Sequence, residues 1–103
     1  MTNVTLVLDR RRVIDALKRA IAETLQRSGR ILPEVDDYTL CPILDIEGFD
    51  SLCGIEVTVD LETSLGIADL THNVFIKIVG KHAKARTFDE VVDAILNCAG
   101  AGQ

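Results

Sequence analysis

Ser51-Leu52-Cys53-Gly54-Ile55-Glu56-Val57-Thr58-Val59-Asp60-Leu61-Glu62-Thr63-Ser64-Leu65 carries two periodicities at once, and the fold turns on which of them wins. Ile55, Val57, Val59 and Leu61 alternate with Glu56, Thr58, Asp60 and Glu62, the signature of a half-buried strand. At 100° per residue the same side chains fall into two opposed apolar stripes: Leu52, Ile55 and Val59 on one, Val57, Leu61 and Leu65 on the other. Glu56 and Asp60 then share one flank, and Glu62 borders the first stripe from its other side. The ends favour the helix by a small margin, since Asp50 or Ser51 can act as N-cap and Gly66 as the C-terminal stop. Gly54 inside the run weakens it. A helix of this kind packs one stripe inward and offers the other to a partner.

Outward from this stretch, the clearest helices are the first and the last. Between about Asp9 and Ser28, Ile14, Leu17, Ile21 and Leu25 recur at helical spacing, with Val13 and Ala20 beside them and Gly29 as the stop. Arg10, Arg11 and Arg12 would oppose the helix dipole in a first turn, which mildly favours an earlier start, and Val4–Leu8 read equally as a helix extension or a short arm. From Thr87 to Leu96, Thr87 and Glu90 form a capping box ahead of Phe88, Val91, Val92, Ile95 and Leu96. The tail, Asn97–Gln103, is expected to fray. Arg30–Phe49 is a long connection with Pro33, Pro42 and Gly48, turn character at Asp36, Asp37 and Tyr38, and Ile43, Leu44 and Ile46 as possible plugs for a core. Its length implies either a function or a short helical turn within it. Val74–Val79, short and apolar, is ambiguous.

The whole chain of 103 residues reads as one domain with an ordered core of about 9–96. Its apolar fraction of 48% supports a folded state, and with three Phe, one Tyr and no Trp that core must be aliphatic. Cys41, Cys53 and Cys98 are too widely spaced for a zinc motif or a disulfide framework, so a reducing compartment is expected and the three read as small apolar residues. No signal pattern opens Met1–Arg12 and no apolar run approaches membrane-spanning length, so a cytoplasmic protein without membrane insertion is expected. Charge is segregated. Residues 1–30 hold seven Lys/Arg and three acids, residues 31–76 ten acids and no Lys or Arg, and residues 77–103 four basic and three acidic groups. An acidic middle third suits basic protein surfaces and excludes nucleic acid as a partner.

Ile46-Glu47-Gly48-Phe49-Asp50-Ser51-Leu52 contains the triplet Asp50-Ser51-Leu52, which resembles the signature of acyl and peptidyl carrier proteins. Gly48 and Phe49 precede it as they commonly do in that family, and Ile55-Glu56-Val57 matches the apolar-acidic-apolar run of the family's second helix. Leu65-Gly66-Ile67 is similar to that helix's ending, and the helix from Phe88 to the family's last. The resemblance implies an all-α four-helix bundle of the acyl-carrier type, here with a long first loop and a short or irregular third helix near Leu70–Val79. It also implies a single carrier domain without catalysis of its own, 4′-phosphopantetheine attached covalently to Ser51, and a monomer that docks through Asp50, Leu52, Ile55, Glu56, Val59, Asp60 and Glu62. Its partners would be a phosphopantetheinyl transferase, which brings its own Mg²⁺, and acyl-transferring or synthase enzymes with basic docking surfaces. Lys77, Lys81, His82, Lys84 and Arg86 depart from the acidic third-helix region of fatty-acid carriers, as does the long first loop, and point to a specialised lipid or secondary-metabolite pathway.

Elementary chemistry points the same way. A serine opening a helix faces orphan N–H groups and the positive end of the dipole, where a phosphodiester is favoured. Two other readings stand beside it: an unmodified helical interaction module, in which Ser51 is a plain cap, and a small serine hydrolase. Phe49-Asp50-Ser51-Leu52 resembles the Gly-Asp-Ser-Leu hydrolases only without their glycine, Cys53 stands where a nucleophile elbow requires glycine, and His72 and His82 are the only imidazoles. Near a helix N-terminus, Cys53 is in a setting that generally lowers a thiol pKa.

Overall fold

The computed structural model describes residues 9–67 and 70–101. Val4–Leu8 and the last two residues of the tail lie outside them. The element order is α1 (Arg10–Gln26), α2 (Pro42–Asp45), α3 (Ser51–Leu65), β1 (Ile76–Val79), β2 (His82–Ala85) and α4 (Phe88–Ala101). The expected all-α four-helix bundle is therefore corrected to a mixed α/β fold, in which a two-stranded antiparallel sheet stands between the third and fourth helices.

Helix α1 begins at the first arginine, not earlier. Asp9 caps it by accepting from the Arg12 N–H at 2.8 Å, and Arg10 leaves the dipole's neighbourhood to pair with Asp89 and, at 2.6 Å, Asp93 on α4. Its apolar stripe, Val13, Leu17, Ile21 and Leu25, is buried against α3 and α4. Gly29, at φ 72°, turns the chain out of the helix.

Tertiary packing settles the conflict in residues 51–65 for the helix. Val57 and Leu61 are fully buried in the core while Val59 between them is 53% exposed; a strand would set all three on one face, and only the 3.6-residue period separates them. The caps are Asp50, accepting from the Cys53 N–H, and Gly66, at φ 66°. In the long connection, Pro42 opens the four-residue α2, and Ile46, Phe49 and Val35 enter the core. Ile43 is half-buried, whereas Leu44 is 72% exposed and plugs nothing. The same connection supplies backbone carbonyls to the start of α4: Phe88 N–H donates to Leu40 O at 2.7 Å and Asp89 N–H to Tyr38 O at 2.9 Å.

No third helix lies at Leu70–Val79. Val74 and Phe75 form a buried turn, and Ile76–Val79 pairs with His82–Ala85 in the register Ile76 to Ala85 through Val79 to His82. Two features decide against helix. Ile76, Ile78 and Val79 are β-branched, and Gly80 takes φ 63° at the first position of a two-residue turn, as primed hairpin turns require. A lone hairpin is marginal in water, and this one is fastened by Lys77, whose Nζ lies 2.7 Å from Glu90 on α4. Helix α4 shows both halves of the capping box, Thr87 N–H to Glu90 at 2.9 Å and Glu90 N–H to Thr87 Oγ1 at 3.1 Å. It continues to Ala101, beyond the point where fraying was expected.

Candidate functional site

Ser51 is the first residue of α3, exposed after the turn that brings Gly48 to φ 83° and buries Phe49. Among the described residues its hydroxyl has no hydrogen-bond partner. Asp50, not Ser51, is the cap. Its carboxylate accepts from the Cys53 N–H at 2.9 Å, and that hydrogen bond holds the carboxyl below the usual carboxylate range. A phosphodiester on Ser51 would thus share the helix N-terminus with a carboxylate that already answers one orphan N–H. The Ser51 hydroxyl nevertheless stands clear of the fold, so an attached group meets no packed side chain there.

Of the two apolar stripes on α3, the one adjoining Ser51 is the less buried. Leu52 is 63% and Val59 53% exposed, with Ile55 half-buried between them, while Val57 and Leu61 are in the core and Leu65 packs against it. Glu56 and Asp60 lie on the exposed flank, as carboxylates outside the core must, whereas Glu62 is half-buried. Their field is partly answered within the chain: Arg27, one residue past α1, places Nη1 3.3 Å from Glu56 and Nη2 4.0 Å from Asp60.

Sequence reasoning missed three residues that shape this site. Asn73, nearly buried, donates from Nδ2 to the Ser51 carbonyl at 2.9 Å and accepts at Oδ1 from the Phe75 N–H at 3.0 Å. Thr58, buried two turns along α3, donates from Oγ1 to the Gly54 carbonyl at 2.7 Å and accepts from the Val74 N–H at 3.0 Å. Gly54 gives Asn73 room, since a Cβ there would stand 2.7 Å from Asn73 Oδ1. The glycine that weakened the helix reading is the residue that lets the Asn73 segment approach the helix.

Burial pushes the Cys53 thiol up, reversing the expectation that a helix N-terminus would lower it; its Sγ donates to the Gly48 carbonyl at 3.7 Å. Cys41 is pushed up in the same way. His72 and His82 are exposed, and neither hydrogen-bonds to Ser51 among the described residues. Among those residues no cluster of three or more His, Cys, Asp or Glu is placed to hold a metal, and no helix is long and apolar enough to cross a membrane. Neither the groove of about 550 Å³ between α1 and α3 nor that of about 570 Å³ between α2 and the hairpin has Ser51 in its lining. Comparison with known proteins found no matching family model, no matching curated protein and no matching solved structure.

Proposed function

We propose that this chain is a carrier protein of the cytoplasm, modified on Ser51 with 4′-phosphopantetheine and acting as a monomer without catalysis of its own. The observation that carries the reading is the pairing of an exposed serine at the head of α3 with the Leu52–Ile55–Val59 stripe left uncovered beside it. The Gly48–Leu52 context, with its likeness to the carrier signature, supports the same role.

In the proposed reaction the Ser51 Oγ attacks the pantetheine-bearing phosphorus of coenzyme A on a transferase. The new bond is Oγ–P, the phosphoanhydride bond breaks, adenosine 3′,5′-bisphosphate leaves, and the hydroxyl proton passes to a base of the transferase, which also holds the Mg²⁺. Once attached, the arm supplies a terminal thiol that carries an acyl or aminoacyl group as a thioester. The chain's own residues present Ser51, offer Leu52, Ile55 and Val59 as an apolar surface, and surround it with Asp50, Glu56, Asp60 and Glu62 for the basic faces of acyl-transferring or synthase enzymes. The basic hairpin in place of an acidic segment supports a specialised lipid or secondary-metabolite pathway.

Intact mass after co-expression with a broad-specificity transferase tests this. Wild type gains one phosphopantetheine and Ser51→Ala none, while the variant stays folded, because Asp50 is the cap and an exposed substitution at 51 changes stability by no more than about 0.5 kcal/mol. Modification persisting in Ser51→Ala would refute the site, and an unmodified wild type would leave an interaction module.

A further inference from the structure

We propose that Asn73 is the positioning residue for group transfer at Ser51: its side-chain amide ties the first turn of α3, and with it the serine, to the segment that leads into the hairpin. The proposal rests on the reading of Ser51 given above. It starts from what the first turn lacks. The opening residues of a helix are held by fewer hydrogen bonds than its interior, and the Ser51 side chain, exposed and without a partner among the described residues, adds none. Whatever fixes the point from which its hydroxyl extends must therefore act through the backbone.

Asn73 acts there. It lies 22 residues away in sequence, is 8% exposed, and has one end of its amide on the Ser51 carbonyl and the other on the Phe75 N–H. Exchanging the amide's O and N would set oxygen against carbonyl and N–H against N–H, so the two contacts together define one orientation. Gly54 admits the amide to within a distance that any Cβ would forbid. A second tether lies one turn further on, where Thr58 Oγ1 joins the Gly54 carbonyl to the Val74 N–H. Ser51 and Gly54 thus each receive a side-chain donor on a carbonyl that an ordinary helix gives only to the backbone ladder. Three successive residues, Asn73, Val74 and Phe75, spend polar groups on this attachment or on its support. The partner-facing side of α3 stays open while its head is gripped from behind.

Transfer to a hydroxyl needs the oxygen near its in-line attack position, and small misplacements are costly in rate. Of the docking residues only Asp50 and Leu52 adjoin Ser51, while Ile55, Glu56, Val59, Asp60 and Glu62 lie a turn or more further along the helix. Loss of the amide should therefore lower kcat for modification more than it raises KM. A residue that served stability alone would affect neither in protein that is still folded.

The experiment is steady-state modification of the full chain by a broad-specificity transferase with coenzyme A, at a temperature where every variant is folded by circular dichroism. Asn73→Ala is expected to reduce kcat about tenfold with KM for the carrier changed less than about twofold. Asn73→Asp retains an acceptor for Phe75 but sets a carboxylate oxygen against the Ser51 carbonyl in place of the donor, so it is expected to do the same, and it serves alone if Asn73→Ala does not fold. Thr87→Ala, which loses the α4 cap, destabilises the protein away from Ser51 and is expected to keep the wild-type kcat. Asn73 variants turning over at the wild-type kcat, or Thr87→Ala slowing as much as they do, would overturn the proposal. Failure of the wild type to gain the group at all is a different result, and it would sink the reading of Ser51 itself.

Discussion

Asn73 and Gly54 approach so closely that a Cβ added to the glycine would stand 2.7 Å from the asparagine Oδ1 and 3.0 Å from its Nδ2. Alanine at 54 would favour an isolated helix by about 1 kcal/mol. Here it must displace an amide held at both ends. Gly54→Ala is therefore expected to destabilise the protein by about 1–3 kcal/mol in urea unfolding. In an Asn73→Ala background the same change should cost little. Equal costs in both backgrounds would mean that the two residues do not compete for space.

The two stripes of α3 should respond oppositely to truncation. Leu61, with no exposed surface, is expected to lose about 2–5 kcal/mol on change to alanine. Val59, more than half exposed, should lose no more than about 0.5 kcal/mol and yet impair turnover with partner enzymes. Matching losses of stability from Val59→Ala and Leu61→Ala, measured by denaturant midpoint, would remove the case for a functional patch.

Arg27 sits between the carboxylates of Glu56 and Asp60, so it competes in cis with any basic surface that approaches α3. Arg27→Gln should speed association with the transferase at low salt and steepen its salt dependence. Glu56→Lys should slow it and flatten that dependence, with Asp60→Lys acting in the same direction but less, one turn farther from Ser51. The differences should shrink towards about 0.15 M salt, where the screening length is about 8 Å. Stopped-flow rates that shift in the same direction for Arg27→Gln and Glu56→Lys would show that charge at this face does not steer encounter.

Glu90 links the hairpin to α4, and its carboxyl is drawn from the ordinary 4.5 to about 2, first by the Lys77 ammonium and then by the Thr87 N–H. A depressed carboxyl pKa adds stability that is fully present above 4.5 and is lost as pH falls towards 2. The Tm gap between wild type and Glu90→Gln should accordingly be widest near neutral pH and close through that acid window. Since both partners are partly exposed, the gap should also narrow with salt. A gap that stays constant down to pH about 2 would refute the linkage.

Much of the framework was legible in the chain because its signals are local. The period of Ile14, Leu17, Ile21 and Leu25, the Thr87–Glu90 capping box and the glycine after Leu65 each act within a few residues, and each marks an element the fold contains, although Val13 rather than Ile14 is the fully buried residue of the first helix's opening turn. Asp50-Ser51-Leu52 was equally visible, as was the existence of two apolar stripes beside it. Sequence alone left residues 55–62 with only a small margin for helix over strand, because alternation and helical spacing coexist there. Only the burial of Val57 and Leu61 with Val59 left outside, together with Thr58 bonded across to Val74, separates them. The hairpin was hidden for a related reason. His82-Ala83-Lys84-Ala85 has little strand character, and it becomes a strand by pairing with Ile76–Val79 while Lys77 is held by α4. Asn73 gave no sign of its part in the site, since beyond the Phe75 N–H two residues on its partners are a carbonyl 22 residues earlier and a gap above Gly54, neither of which exists until α3 and the segment before the hairpin are brought together.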